Sequence, residues 1–311
     1  MFVNKQESSL KSLIYFARIY AIIITAYCVF EIISNSNPFV DRMSELGFYP
    51  YNYDLQMRYG IKRCYTIFPM HITNGAVSIE LFCLLLFAWI RGWLSRKKTN
   101  LLIIGLLALN IFATGARSVI LSFIICLLFL LSYLRRSFKI IICSAFLFCF
   151  LAIQFHDYFN EIILSFSDTS SVEGSSSEMR ERQWILTYSL LQDSFFFGHG
   201  IGYISDIMDK FSYDMQGAES LWIPVLVDLG FVGAIAYATY FIAIYLFCAK
   251  SNYKPVIFIA LGFTVLYIMT SVPNLAFTNF FIYILAIVTM AKYPLVKNVK
   301  HNKDLYFSSN I

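Results

Sequence analysis

Charge is what this chain has least of. Asp, Glu, Lys and Arg make up 14% of its 311 residues, where soluble domains average about 25%. That deficit excludes an ordinary soluble fold. With 59% hydrophobic residues and a mean hydropathy of +0.66, the chain reads as a polytopic membrane protein. Proline is scarce too, and Pro38, Pro50 and Pro69 fall together in one polar loop. Seven cysteines are present, but without CxxC or Cys/His spacing, and Cys64 alone stands clear of the apolar runs on its side. Neither a disulfide framework nor a metal site is expected from that pattern. The surplus of +5 gathers in short loops between apolar runs, and no nucleic-acid-binding signature accompanies it. No internal repeat is visible.

What is present is a series of apolar runs. A helix needs roughly 20 apolar residues to cross a bilayer core, with about 17 as the lower end. On that rule spans fall near 12–33, 73–90, 100–116, 118–134, 139–155, 221–247, 255–272 and 277–291. The expected fold is therefore an all-α polytopic bundle of about 8 spans. The first run is too long for a secretory signal and has no small-residue cleavage pattern, so it reads as an uncleaved anchor. Residues 1–294 form one membrane domain and 295–311 a polar tail.

Fifteen of the 24 basic residues lie before span one, after spans two, four and six, and at the chain's end. Those segments all share one side of an eight-span topology. Basic loops mark the cytoplasmic side, so both termini are expected there, in a bacterial inner membrane. The loops 34–72 and 156–220 then face outward. The second of them, counted from Asp157 to Glu219, holds 11 of the 19 acidic residues.

That second loop also carries the densest set of chemical groups. After the flexible run Asp168–Ser177, a Ser175/Glu178 pair suits a capping box. The helix it opens runs to about Asp193, with Trp184, Ile185, Tyr188, Leu191 and Phe195 on an apolar face. Arg180 and Arg182 sit near its N-terminus, where each cation costs about 0.3–1 kcal/mol against the helix dipole. A bound anion would offset that cost; a plain amphipathic surface helix explains the pattern equally well.

The turn Gly198-His199-Gly200-Ile201-Gly202 follows. Such a turn presents backbone N–H groups to an anion, or serves loop geometry alone. Glu219-Ser220 precedes the sixth span. A carboxylate at that half-dry surface suits general-base work, and a helix cap is its structural alternative. Elsewhere, Arg117 follows a Thr114-Gly115-Ala116 break, and Arg63 leads into the second span beside Arg58 and Lys62. Guanidinium keeps its charge and offers a planar fork that fits phosphate oxygens. His199, Asp228 and Glu80 are secondary candidates. The last two are carboxylates inside apolar spans, which cost about 2.5–3.5 kcal/mol at a helix centre and so mark functional sites or interhelical hydrogen bonds.

These parts, in this order, resemble the O-antigen polymerase/ligase superfamily of polytopic glycosyltransferases. The resemblance rests on Arg117 after its glycine break, Arg180 with Trp184 four residues on, and a Gly-x-Gly turn fourteen residues after Trp184. It continues through Glu219-Ser220 and the run LWIPVLVDLGFVG, where Asp228, Gly230 and Gly233 hold matching places. The segment RCYTIFPMHITNG from Arg63 is similar to the family's arginine-led entry to a span. About 58–245 is covered; members are commonly longer, with additional N-terminal spans.

The resemblance implies metal-independent and cofactor-free transfer of an undecaprenyl-diphosphate-linked oligosaccharide. Arg63, Arg117, Arg180 and Arg182 would hold the diphosphate with Gly198, Gly200 and Gly202, and Glu219 would activate the acceptor hydroxyl. Ligases that load lipid A core usually carry His-Asn where this chain has Glu219-Ser220, which points to a polymerase of O-antigen, capsule or exopolysaccharide units. A ligase and a lipid-linked oligosaccharide flippase are the alternatives. Expected partners are membrane lipid and the chain-length regulator and flippase of the same pathway.

Overall fold

The computed structural model describes residues 2–46, 57–58, 61–68, 70–95, 97–134, 177–210, 220–250, 256–269 and 274–292. Among them the chain is helical, apart from one short antiparallel pairing. In chain order the elements are α1 (Phe2–Ser34), α2 (Pro38–Glu45), β1 (Met57–Arg58), β2 (Ile61–Lys62), α3 (His71–Ile90), α4 (Lys98–Ala113) and α5 (Arg117–Leu134). Then come α6 (Ser177–Asp193), α7 (Tyr203–Lys210), α8 (Trp222–Ala249), α9 (Val256–Met269) and α10 (Asn274–Lys292). In the β1–β2 pairing Met57 stands opposite Lys62 and Arg58 opposite Ile61.

Among the described residues three helices are long and apolar enough to cross a bilayer: Glu7–Ser34 within α1, α3, and α8. Four shorter apolar helices join them, at Lys98–Ala113, Arg117–Leu128, Val256–Met269 and Ile282–Lys292. The expected fifth span, 139–155, lies outside the described residues, as do Glu219, Ser175 and the 295–311 tail.

α3 is the hub. It packs against α1, α4, α5, α9 and α10, and nearly every residue from Thr73 to Ala88 is buried. Its composition explains this, because a helix apolar all round is stable only when covered on all sides. α5 and α9 form the tightest pair. A Cβ on Gly262 would stand 2.4 Å from Cys126 Sγ and 2.7 Å from the Ser122 carbonyl oxygen. The missing side chain lets the two backbones close, and the Ser122 hydroxyl donates across the gap to the Gly262 carbonyl. Small residues at helix contacts drive association where lipid offers no hydrophobic force.

Polar residues stitch the other helices. The Asn74 and Asn110 side chains exchange two hydrogen bonds of 3.0 Å between α3 and α4, and Asn110 Nδ2 also donates to Ser78 Oγ at 2.8 Å. Glu31 of α1 accepts from the Tyr65 and Thr66 N–H groups at 3.1 and 2.8 Å and from the Cys64 thiol at 3.1 Å. Asn37 adds a bond from Nδ2 to the Thr66 carbonyl. The loop that carries Arg63 into α3 is thus fixed to α1, α3 and α4 by bonds that are individually modest and expensive to leave unmade.

Candidate functional site

α8 is one helix by length and two by backbone. Gly230 has φ 66° and ψ −163° inside it, a region open essentially only to glycine. The break frees the carbonyls of Val227 and Asp228 from helical pairing, and the Gly198–Gly202 turn takes them up. His199 and Gly200 donate their N–H groups to these carbonyls at 2.9 Å each. In return Phe231 and Val232 donate to the Phe195 and Phe196 carbonyls at 2.9 and 3.1 Å.

The two glycines face one another at contact distance. A Cβ on Gly198 would lie 2.5 Å from the Asp228 carbonyl, and one on Gly230 would lie 2.5 Å from Gly198 N. Asp228 closes the clasp: its carboxylate accepts from Gly202 N–H at 2.8 Å and Ile204 N–H at 2.9 Å, capping α7 from another helix.

This geometry gives several of the candidate residues structural partners. The Gly198 N–H donates to Ser194 O, Gly200 to Asp228 O and Gly202 to the Asp228 carboxylate. The N–H groups of Gly198, His199, Gly200 and Gly202 therefore all have protein acceptors. His199 Nε2–H donates to Leu190 O (2.8 Å), and the ring stacks on Tyr203 with centroids 4.4 Å apart. Its place is in the turn's packing. Asp228 likewise has a complete structural role.

The helix and the clasp bring a different group together. A cavity of about 220 Å³ opens where α6, the entry to α8 and the end of α9 meet. Its lining comprises Arg180, Gln183, Trp184, Ser220, Trp222, Ile223, Ile268 and Met269. Gln183 is fully buried and Arg180 partly so. Ser220 Oγ accepts from Trp222 N–H at 3.3 Å, and Leu221 N–H donates to Tyr267 O at 3.1 Å, which ties the entry of α8 to the end of α9. One guanidinium, an amide, a hydroxyl and two indoles against apolar walls form the usual chemistry of an oriented ligand site. Glu219, the neighbour of Ser220, lies outside the described residues.

A second cluster forms around Arg63. Its Nη1 stands 3.0 Å from His71 Nε2. A guanidinium only donates, so Nε2 accepts and the ring proton belongs on Nδ1. The Arg63 stem packs over the break before α5: a Cβ on Gly115 would lie 3.4 Å from Arg63 Cγ. Arg117, half-buried, starts α5 two residues later. Arg63, Arg117 and Arg182 are not among the residues lining the cavity.

Cys64 lies beside this cluster but is no nucleophile. A hydrogen bond with the Cys28 side chain, burial and the Glu31 carboxylate push its thiol well up, so it stays protonated. Burial pushes the Tyr65 phenol up as well, with Arg63 opposing.

Of the cavity's lining, the sequence marked Arg180 as a site candidate and Trp184 and Ser220 only as motif positions; Gln183, Trp222, Ile268 and Met269 were not foreseen, because their convergence depends on helix packing. Sequence reasoning also missed the Glu31–Asn74–Asn110 network, although two asparagines inside apolar runs were the signal. Glu80 stands apart from both clusters. It is 1% exposed, and neither carboxyl oxygen has a hydrogen-bond partner among the described residues. Its neighbours include Cys83, Phe263, Tyr283 and Ile287, and the space between them admits no water molecule.

Among known proteins, residues 101–238 match the family described as O-antigen ligase. No curated protein matches the chain. The matched stretch contains the Arg117 break, α6, the glycine turn and the Gly230 clasp, and through it the segment 101–238 is similar to the O-antigen ligase family.

Proposed function

We propose that this chain is an integral-membrane glycosyltransferase that polymerises oligosaccharide repeat units carried on undecaprenyl diphosphate. It would act on the outward face of a bacterial inner membrane. The supporting observation is the cavity between α6, α8 and α9, in which Arg180, Trp184 and Ser220 converge within or beside the family-matched segment.

In this reading Arg180 holds the donor's diphosphate, with Arg182, Arg63 and Arg117 completing the cationic surround. The acceptor sugar's hydroxyl oxygen attacks the donor's anomeric carbon. The bond from that carbon to the diphosphate oxygen breaks, and the lipid diphosphate leaves with the electron pair. Glu219, next in the chain to Ser220, takes the hydroxyl proton. Arginines fixed before the reaction stabilise the charge developing on the leaving diphosphate, which is where a water-poor site contributes most. The glycines serve by holding α6 and α8 together, not by donating to the anion.

The test is the glycan ladder of a deletion strain complemented with wild type, Arg180→Ala or Glu219→Gln. Deletion should leave single repeat units on the lipid A core, with long chains restored by wild type and not by Arg180→Ala. Full-length product from Arg180→Ala at normal abundance would remove that residue from the donor site. Bare core with long polymer accumulating on the lipid carrier would instead make the protein a ligase. Glu219→Gln should lower turnover more than donor binding.

A further inference from the structure

α6 buries a polar face and exposes large apolar side chains beside the charged residues at its two ends. Its buried face centres on Gln183 and Thr187, which are 0% and 2% exposed, while Ile185 and Tyr188 point away from the protein and Trp184, which lines the cavity, is still 44% exposed. The apolar face expected from the sequence exists, but it faces the surroundings. The turn after it continues the pattern. Phe196 and Phe197 are 63% and 76% exposed, and Ile201 at the tip of the glycine turn is 91% exposed. Monomeric proteins in water rarely leave so large a contiguous apolar surface uncovered.

The position of this surface names its occupant. At 1.5 Å per residue α8 is about 42 Å long, well beyond a bilayer core of about 30 Å. Its length beyond Gly230 is the part that fits: Phe231 to Ala249 rises about 28 Å and ends at Lys250. That placement would put the bilayer's edge at the Gly230 break, where the turn is clasped. Phe195 stacks on Phe231 with centroids 5.4 Å apart. Phe231, Val232 and Ile235 are exposed along the helix that would face lipid. The exposed apolar surface of the turn is thus continuous with the lipid-facing side of a spanning helix.

We infer that the segment from Trp184 to Ile201 is seated in the outer leaflet, with Phe196, Phe197 and Ile201 among the upper acyl chains and Arg180 at headgroup level. The clasp at Gly198 and Gly230 fixes that depth, because it holds the turn at one height on α8. The cavity then opens at the membrane surface, where a lipid-borne diphosphate resides. The proposal rests on α8 spanning the membrane with its Lys250 end cytoplasmic, and not on any particular reaction.

It is tested by tryptophan depth measurement on full-length protein in vesicles. Phe197→Trp and Ile201→Trp are compared with Ile242→Trp, on the exposed face further along α8, and with the wild-type background. Vesicles contain lipid brominated near the headgroup end of the acyl chain or near its terminal methyl. The new tryptophans at 197 and 201 should lose emission to the shallow bromines more than to the deep ones, and Ile242→Trp should show the reverse. Quenching of both by aqueous iodide with no bromolipid effect would overturn the inference, since the surface would be in water. Protection from both quenchers would overturn it as well, since protein would then cover the surface. Normal gel-filtration profiles confirm folding, and the quenching pattern is independent of glycan activity.

Discussion

Asp228 and Glu80 are the same problem to a reader of the sequence: one carboxyl each, set inside an apolar helix. The structure separates them. Asp228 sits beside the Gly230 break and accepts two backbone N–H groups, from Gly202 and Ile204. Glu80 sits in the middle of the unbroken α3, 1% exposed, with no hydrogen-bond partner among the described residues. The difference lies in the backbone around them. A broken helix brings another segment's amides within reach of a carboxylate, whereas an intact helix has already spent its own amides on internal pairing. An intramembrane carboxyl is therefore informative only together with the regularity of the helix that bears it.

The comparison is broken most severely at the glycines. Gly230→Ala places a Cβ about 2.5 Å from Gly198 N and forces a non-glycine residue into a region that only glycine occupies comfortably. Neither backbone can yield without parting the turn from α8. The expected cost exceeds about 4 kcal/mol, in the range of exceptional single substitutions. It should show as loss of the monodisperse peak after detergent extraction. Normal abundance and an unchanged melting temperature would mean that the clasp does not form. Gly200→Ala is the matched control: its φ is also positive, but nothing lies within 4 Å of the added Cβ, so strain alone applies.

Removing the Asp228 carboxylate should cost less. Asp228→Ala leaves the Gly202 and Ile204 N–H groups without acceptors, for a loss of about 2–4 kcal/mol. Asp228→Asn keeps one acceptor oxygen and should lose about half of that. Thermal melting in detergent orders the three proteins. An Asn variant as damaged as the Ala variant would show that charge, and not hydrogen bonding, holds the turn.

These cases show how far the sequence carried. Membrane character follows from composition because the bilayer imposes it on nearly every residue of a span. Arg180 and Trp184 were legible because they share one helix at fixed spacing. The role of Gly198–Gly202 was not, because a GxGxG string has the same appearance whether its amides face a phosphate or the carbonyls of Val227 and Asp228. Only the partner decides that, and it lies some 30 residues away. Gln183 was hidden for a related reason. A glutamine on a helix with an apolar stripe is assigned to the wet side, and α6 reverses that assignment by burying its polar face.

Glu80 gives an expected effect of opposite sign. A buried carboxyl with no hydrogen-bond partner among the described residues adds no hydrogen bond there and carries the cost of its own desolvation. Replacing it with leucine removes that cost and fills the same space with carbon. Glu80→Leu should therefore raise stability, by about 1–3 kcal/mol, where Asp228→Ala lowers it by a similar amount. A higher melting temperature with an unchanged glycan ladder would make Glu80 a tolerated defect of α3. A higher melting temperature with the ladder lost would show that the chain keeps a destabilising carboxyl for what it does in the working protein, as functional groups often are kept. A fall in melting temperature would refute the premise itself, because Glu80 would then hold a partner, and the contrast with Asp228 would reduce to which partner each carboxyl has.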